Sequence, residues 1–142
     1  MAARRASEVL LGGGVIAYPT EGVFGLGCLP DDVDAVARIL TIKRRSPCKG
    51  LILIAARAGQ FEDWIDPAVH GALPEPDPRQ PVTWIVAPAA RVPAIVTGEE
   101  VPSIGPELSI TGIFQRLISM RASRDSVSIA KGGRVNTHPD MN

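Results

Sequence analysis

At 142 residues the chain has the length of one domain, enough to bury roughly two thirds of its unfolded surface around a single core. Hydrophobic residues make up 45% and charged residues 21%, and 15 basic residues are cancelled by 15 acidic ones. That balance excludes a chain coated in cations for nonspecific nucleic-acid binding, so any anion site must be local. Cys28 and Cys48 form neither a metal-ligand spacing nor a redox pair, nothing at the N-terminus resembles a secretory signal, and apolar runs such as LILIAA fall short of the about 20 residues that cross a bilayer; a reducing cytoplasm and no membrane span are expected.

The opening RRASEVLLGGG places helix formers around Val9 and Leu10 ahead of Gly12, Gly13 and Gly14, which read as a helix stop. VIAYP follows as a short strand. PTEGVFGLGCLP, punctuated by Gly22, Gly25 and Gly27, is too rich in glycine for a helix interior and reads as a binding loop whose backbone lies close to another group. From Asp31, DDVDAVARILTIKRR carries Val33, Val36, Ala37 and Leu40 at the spacing of an amphipathic helix. Asp31, Asp32 and Asp34 suit its N-terminus, Lys43, Arg44 and Arg45 its last turn, and Pro47 prevents continuation.

LILIAA, residues 51–56, is expected as a buried strand because it is short and lacks polar alternation. AGQFEDWI (58–65) is expected to form a short helix with Phe61, Trp64 and Ile65 on one face. The five prolines between residues 66 and 81 predict a loop, with a strand in PVTWIVAP after it. ELSITGIFQRLISMR (107–121) carries a helical stripe through Ile110, Ile113, Phe114, Leu117 and Arg121, and the polar remainder is expected to have low order. This order of elements belongs to a layered α/β domain. The domain divides into a core over residues 1–98 and a partly ordered C-terminal segment over 99–142.

The chemistry concentrates in KRRSPCKG (43–50), where Lys43, Arg44, Arg45 and Lys49 gather. Three of these cations can simply complement a helix C-terminus and point into solvent, at ~0.3–1 kcal/mol each. Lys49 lies beyond Pro47, where no dipole explains it, and a turn with Lys43 and Arg45 on one side and Lys49 on the other can surround a polyanion. The glycine loop at 22–27 is neither the dinucleotide fingerprint nor a P-loop. Thr20 and Glu21 stand at a strand end, where residues face a crevice, although Thr20 also suits a plain turn hydroxyl. His70 and His138 lack a triad or metal partner at useful spacing and read as surface histidines. With no partnered nucleophile, the local chemistry points to positioning and charge neutralisation, as in phosphoryl and nucleotidyl transfer.

VIAYPTEGVFGLGCLPDD, the helix ending in Lys43-Arg44-Arg45, CKGLILIAA and PVTWIVAP together resemble the YrdC/TsaC family of threonylcarbamoyl-adenylate synthases, from about residue 8 to about residue 98. The resemblance implies a single α/β YrdC-like domain, with a twisted mixed sheet, flanking helices and a concave basic cavity. It also implies a reaction that joins L-threonine, bicarbonate and ATP into L-threonylcarbamoyl-adenylate and pyrophosphate, with Mg²⁺ accompanying ATP. The product would feed a separate threonylcarbamoyl transferase complex that modifies the adenosine beside the anticodon of tRNA, and the basic cavity implies possible binding of tRNA or double-stranded RNA. By match to the family's K-x-R, Lys43 and Arg45 would hold the triphosphate as the catalytic cations, with Lys49 beside them. Thr20 and Glu21 would line the threonine end, and Thr83, matching a P-x-T element, would face the nucleotide.

The second half departs from the family pattern. Where S-[IV]-A-V-R-[VL] is expected the chain reads Ser103-Ile104-Gly105-Pro106-Glu107-Leu108, with an acid in the arginine position. At the spacing of S-T-S-A-N it reads Ser128-Ile129-Ala130-Lys131, which loses the expected Ser and Asn. The family's W-P-G-P is also altered, to Pro78-Arg79-Gln80-Pro81. The resemblance is thus to a family member with a diverged and truncated C-terminal part, and half of the nucleotide site is expected to be altered. Two readings stand beside the synthase: a catalytically impaired module that binds nucleotide or RNA, and a remnant without function. If the tail supplies no strands, LILIAA is left beside an open sheet edge, which predicts marginal stability or self-association.

Overall fold

The computed structural model describes residues 2–19, 24–71, 73, 83–98, 108–112 and 128–130. Helix α1 (Ala2–Leu11) ends at the glycines as expected: Gly12 and Gly14 donate to the carbonyls of Glu8 and Val9, and Gly13 takes a φ of 74°. Strands β1 (Ile16–Pro19) and β2 (Phe24–Gly27) then pair antiparallel, with Ile16 opposite Gly27 and Pro19 opposite Phe24. The glycine loop is therefore shorter than its sequence suggests, because half of it is strand. Gly25 does meet a close neighbour, the Tyr18 ring, which a Cβ at that position would approach to 3.0 Å.

Helix α2 (Val33–Lys43) is capped by Asp32, whose carboxylate accepts from the Ala35 N–H at 2.9 Å. Its buried face is Ala35, Val36, Ile39 and Leu40. The expected stripe included Val33 and Ala37, but Val33 is 48% exposed and Ala37 half-buried. The face is turned because the pairs 35/36 and 39/40 present a wider apolar surface to the sheet than the single row through Val33.

Strand β3 (Ile52–Ala55) is the centre of a mixed four-stranded sheet ordered β4 (Thr83–Val86), β5 (Leu108–Gly112), β3, β6 (Ser128–Ala130). β3 runs parallel to β5 and antiparallel to β6, and β4 runs antiparallel to β5. All four residues of β3 are buried. Leu53 and Ala55 join the main core with Val36, Ile39, Trp64 and Val96, while Ile52 and Ile54 pack with Tyr18 on the other face. Helix α3 (Ala94–Thr97) lies beside the start of β3, where the Leu51 N–H donates to the Val96 carbonyl at 2.8 Å.

Five expectations are corrected. Residues 58–65 form only a 3-10 turn at Ala58–Phe61, though Phe61, Trp64 and Ile65 are buried together as foreseen. The proline-rich stretch holds a further 3-10 turn at Pro67–Val69. Leu108–Gly112, expected as helix, is a strand, since ladder bonds to β3 and β4 on its two sides outweigh a helical stripe that continues only beyond it. Ser128–Ala130 lies in the segment expected to have low order and instead pairs with Leu53 and its neighbours as β6. The open edge beside LILIAA does not exist, because β5 and β6 flank β3 on both sides.

Leu53, fully buried at the crossing of sheet and α2, tests this packing. Leu53→Ala is expected to cost ~2–5 kcal/mol in urea unfolding, whereas Val33→Ala on the exposed edge of α2 should stay within ~0.5 kcal/mol. Equal losses would contradict the helix face described above.

Candidate functional site

The cation cluster is built by the way α2 stops. Arg44 takes the left-handed conformation (φ 49°, ψ 44°), its N–H donating to Thr41 O at 3.1 Å and the Arg45 N–H to Leu40 O at 2.9 Å. These are the two bonds of a Schellman ending, with arginine where glycine is usual. Among the described residues Arg44 is the only one other than glycine with positive φ. Ser46 then caps a 3-10 turn at Pro47–Lys49 by accepting from the Cys48 N–H at 3.2 Å. The chain thus doubles back, so that Lys49 returns toward the end of α2.

Lys43, Arg44, Arg45, Ser46, Lys49 and Phe24 line one cavity of about 630 Å³. Lys43 and Arg45 are half-buried, Arg44 and Lys49 exposed. Arg45 Nη2 donates to the Lys49 carbonyl at 3.2 Å, which ties the two halves of the turn together. Arg45 Nε is buried and has no hydrogen-bond partner among the described residues. A buried guanidinium N–H left unmatched costs ~1–3 kcal/mol, a cost that an anionic oxygen would remove. Among the described residues, every charged side chain lining the cavity is a cation, although the whole chain is neutral.

The turn is held from behind by glycines. Gly50 and Gly98 both take positive φ, 57° and 89°, and pack backbone to backbone. A Cβ on Gly98 would come within 2.6 Å of Cys48 O and Gly50 N, and one on Gly50 within 2.4 Å of Thr97 O. The start of β3 and the end of α3 fix the Lys49 turn through this contact.

Lys43, Arg45 and Lys49, all expected in an anion site, are therefore brought together. Thr83 is 7% exposed on β4, paired with Thr111, and does not line this cavity. Thr20, Glu21 and His138 lie outside the described residues. His70 is exposed, with Nε2 at 3.3 Å from the Ile65 carbonyl. Ser46 and Phe24 escaped the sequence reading; the Ser-Pro pair before Cys48 signals a capped turn, but only the β1–β2 pairing brings Phe24 to the cations. Burial, and then the Asp32 charge, pushes the Cys28 thiol up to about 12, and burial raises the Tyr18 hydroxyl as well, so both stay protonated at neutral pH. Among the described residues no helix is long and apolar enough to cross a membrane.

Residues 8–127 match the model of the Sua5, YciO and YrdC proteins, a family described as telomere recombination. The chain belongs to the Sua5/YciO/YrdC family. A threonylcarbamoyl-AMP synthase of Alkalilimnicola ehrlichii is 47% identical over 100 residues, covering 67% of this chain and 50% of the relative. One from Stutzerimonas stutzeri is 37% identical over 139 residues, covering 92% and 71%. Among solved structures, P. abyssi Sua5 complexed with L-threonine superposes with a TM-score of 0.65 at 23% identity, covering 91% of this chain and 37% of that one, which establishes the shared fold. The chain spans half to about seven tenths of the length of these two curated relatives. The family match extends past Gly98 into the segment that carries β5.

Two substitutions test how the cavity is made. Arg44→Gly is expected to raise stability by ~0.5–1 kcal/mol, as relief of the left-handed strain outweighs glycine's entropy, while weakening inorganic tripolyphosphate binding by calorimetry. Gly98→Ala should lower stability by ~1–3 kcal/mol in urea and also weaken tripolyphosphate binding, because the displaced backbone carries Lys49. Unchanged tripolyphosphate affinity in both variants would show that the turn does not hold the anion.

Proposed function

We propose that this chain acts as an L-threonylcarbamoyladenylate synthase, a nucleotidyltransferase that forms threonylcarbamoyl-AMP and pyrophosphate from L-threonine, bicarbonate and ATP. The observation that carries this reading is the cation cavity built by Lys43, Arg45 and Lys49 in a chain of this family. The relatives named threonylcarbamoyl-AMP synthase add the reaction.

The threonine amine attacks the bicarbonate carbon, losing a proton as water departs, and a carbamate forms. A carbamate oxygen then attacks the α-phosphorus of ATP, and the bond from that phosphorus to the bridging oxygen breaks as pyrophosphate leaves. Negative charge grows on the leaving group. Lys43 and Arg45 neutralise it, Arg45 with directed guanidinium N–H groups and Lys43 as a point charge, with Lys49 completing the cradle. By resemblance, Thr20 and Glu21 hold the threonine and carbamate end, and Thr83, which does not line the cation cavity, would face the nucleotide beyond it.

Magnesium fits this site as ATP's companion. Among the described residues the cavity lining offers no carboxylate, and no group of three or more His, Cys, Asp or Glu side chains could hold a metal ion. The ion would be held by phosphate oxygens and water, to which it contributes further charge neutralisation. The product is a mixed anhydride that needs a prompt acceptor, which fits delivery in the cytoplasm to a transferase complex acting on tRNA. A rival reading, a nucleotide- or RNA-binding module without turnover, draws on Ile129 and Lys131 standing where the family's Ser and Asn are expected.

Pyrophosphate release from ATP, Mg²⁺ and bicarbonate is expected to depend on L-threonine, and to fall about 100-fold or more in Lys43→Ala and Arg45→Ala. Folded protein that binds ATP but releases no pyrophosphate would overturn the synthase reading in favour of the binding module. Steep loss of RNA affinity with added salt would then identify RNA as its ligand.

A further inference from the structure

A nucleotide presents a planar base as well as phosphates, and the cation cavity has one planar apolar wall. Phe24, the first residue of β2, lines it beside Lys43, Arg44, Arg45, Ser46 and Lys49. Along β2, Phe24 shares a face with half-buried Leu26, which packs against the main core, but Phe24 itself is exposed and is in neither apolar cluster. It is 73% exposed, more than any other exposed large hydrophobic among the described residues.

Scattered exposed apolar residues are ordinary. Phe24 differs from Leu11 or Ile42 by its position, at the wall of a cavity whose charged lining among the described residues is cationic. An aromatic face beside guanidinium and ammonium groups matches the two halves of a nucleotide. Bases stack on the ring while phosphates meet the cations, as in single-strand nucleic-acid sites. The volume of about 630 Å³ lies within the range of small-ligand pockets, roughly 300–1,000 Å³.

We propose that Phe24 is the nucleobase platform of this site, stacking on the base of a nucleoside triphosphate whose phosphates lie against Lys43, Arg45 and Lys49. The proposal rests on the cavity being a triphosphate site and adds to it the part that separates a nucleotide from a bare polyphosphate. Because every base has a π-face, the platform supplies affinity for nucleotides as a class and little choice between adenine and guanine.

Calorimetric titration of MgATP and of inorganic tripolyphosphate into the unsubstituted chain, Phe24→Leu, Phe24→Tyr and Lys43→Ala separates the two layers. Phe24→Leu is expected to weaken MgATP by about 5- to 100-fold and to leave tripolyphosphate within about twofold. Phe24→Tyr, which keeps a ring, should retain MgATP affinity, and Lys43→Ala should weaken both ligands. A ratio of MgATP to tripolyphosphate affinity that Phe24→Leu leaves unchanged would overturn the platform while the phosphate cradle stands. Absence of tripolyphosphate binding to the unsubstituted chain would overturn the cradle, and the platform with it.

Discussion

The double-sided burial of β3 is the constraint on which the rest of the molecule depends. Ile52–Ala55 has α2 and the Trp64 region on one face, Tyr18 on the other, and a strand at each edge. A four-residue strand has few hydrogen bonds of its own. Its position is set because the period-2 alternation sends Leu53 and Ala55 to one core and Ile52 and Ile54 to another, so that a slip of one residue would misplace all four. The cation turn and α3 are attached at its N-terminal end, through Gly50 and Leu51.

Gathering four cations in a neutral chain is unfavourable by mutual repulsion, and the backbone offsets part of it. The C-terminus of α2 carries the negative end of the helix dipole beside Lys43 and Arg44, and the Lys49 carbonyl accepts from Arg45. What remains is a cluster of cations around one hollow, with a buried Arg45 N–H that has no partner among the described residues. Strain follows the same distribution. The left-handed residue at the end of α2 is an arginine, which trades backbone comfort for a fourth charge at the rim.

The segments that the resemblance reads as altered acquire a structural meaning. Leu108, at the end of Ser103-Ile104-Gly105-Pro106-Glu107-Leu108, opens β5, and Ser128-Ile129-Ala130 forms β6. Both strands still pair with β3. A ladder is made by backbone groups and tolerates changes of side chain that a ligand contact does not. The framework is thus separable from the side chains that line the cation cavity.

Local signals in the sequence determined the elements with strong punctuation. The three glycines ended α1, Asp32 and the cations bounded α2, the uninterrupted LILIAA gave a buried strand, and the spacing of Lys43, Arg45 and Lys49 around Pro47 gathered these cations at one cavity. Each depends on interactions within a few residues, which composition and periodicity record directly. Only the tertiary structure decided which face of α2 is buried, that Leu108–Gly112 is a strand, and that Phe24 meets the cations. These depend on pairings across long stretches of chain: β5 lies beside a strand more than fifty residues earlier, and Phe24 reaches the end of α2 by the β1–β2 hairpin. Such contacts leave no local trace, because the sheet that receives a segment, and not the segment's own propensity, fixes its conformation.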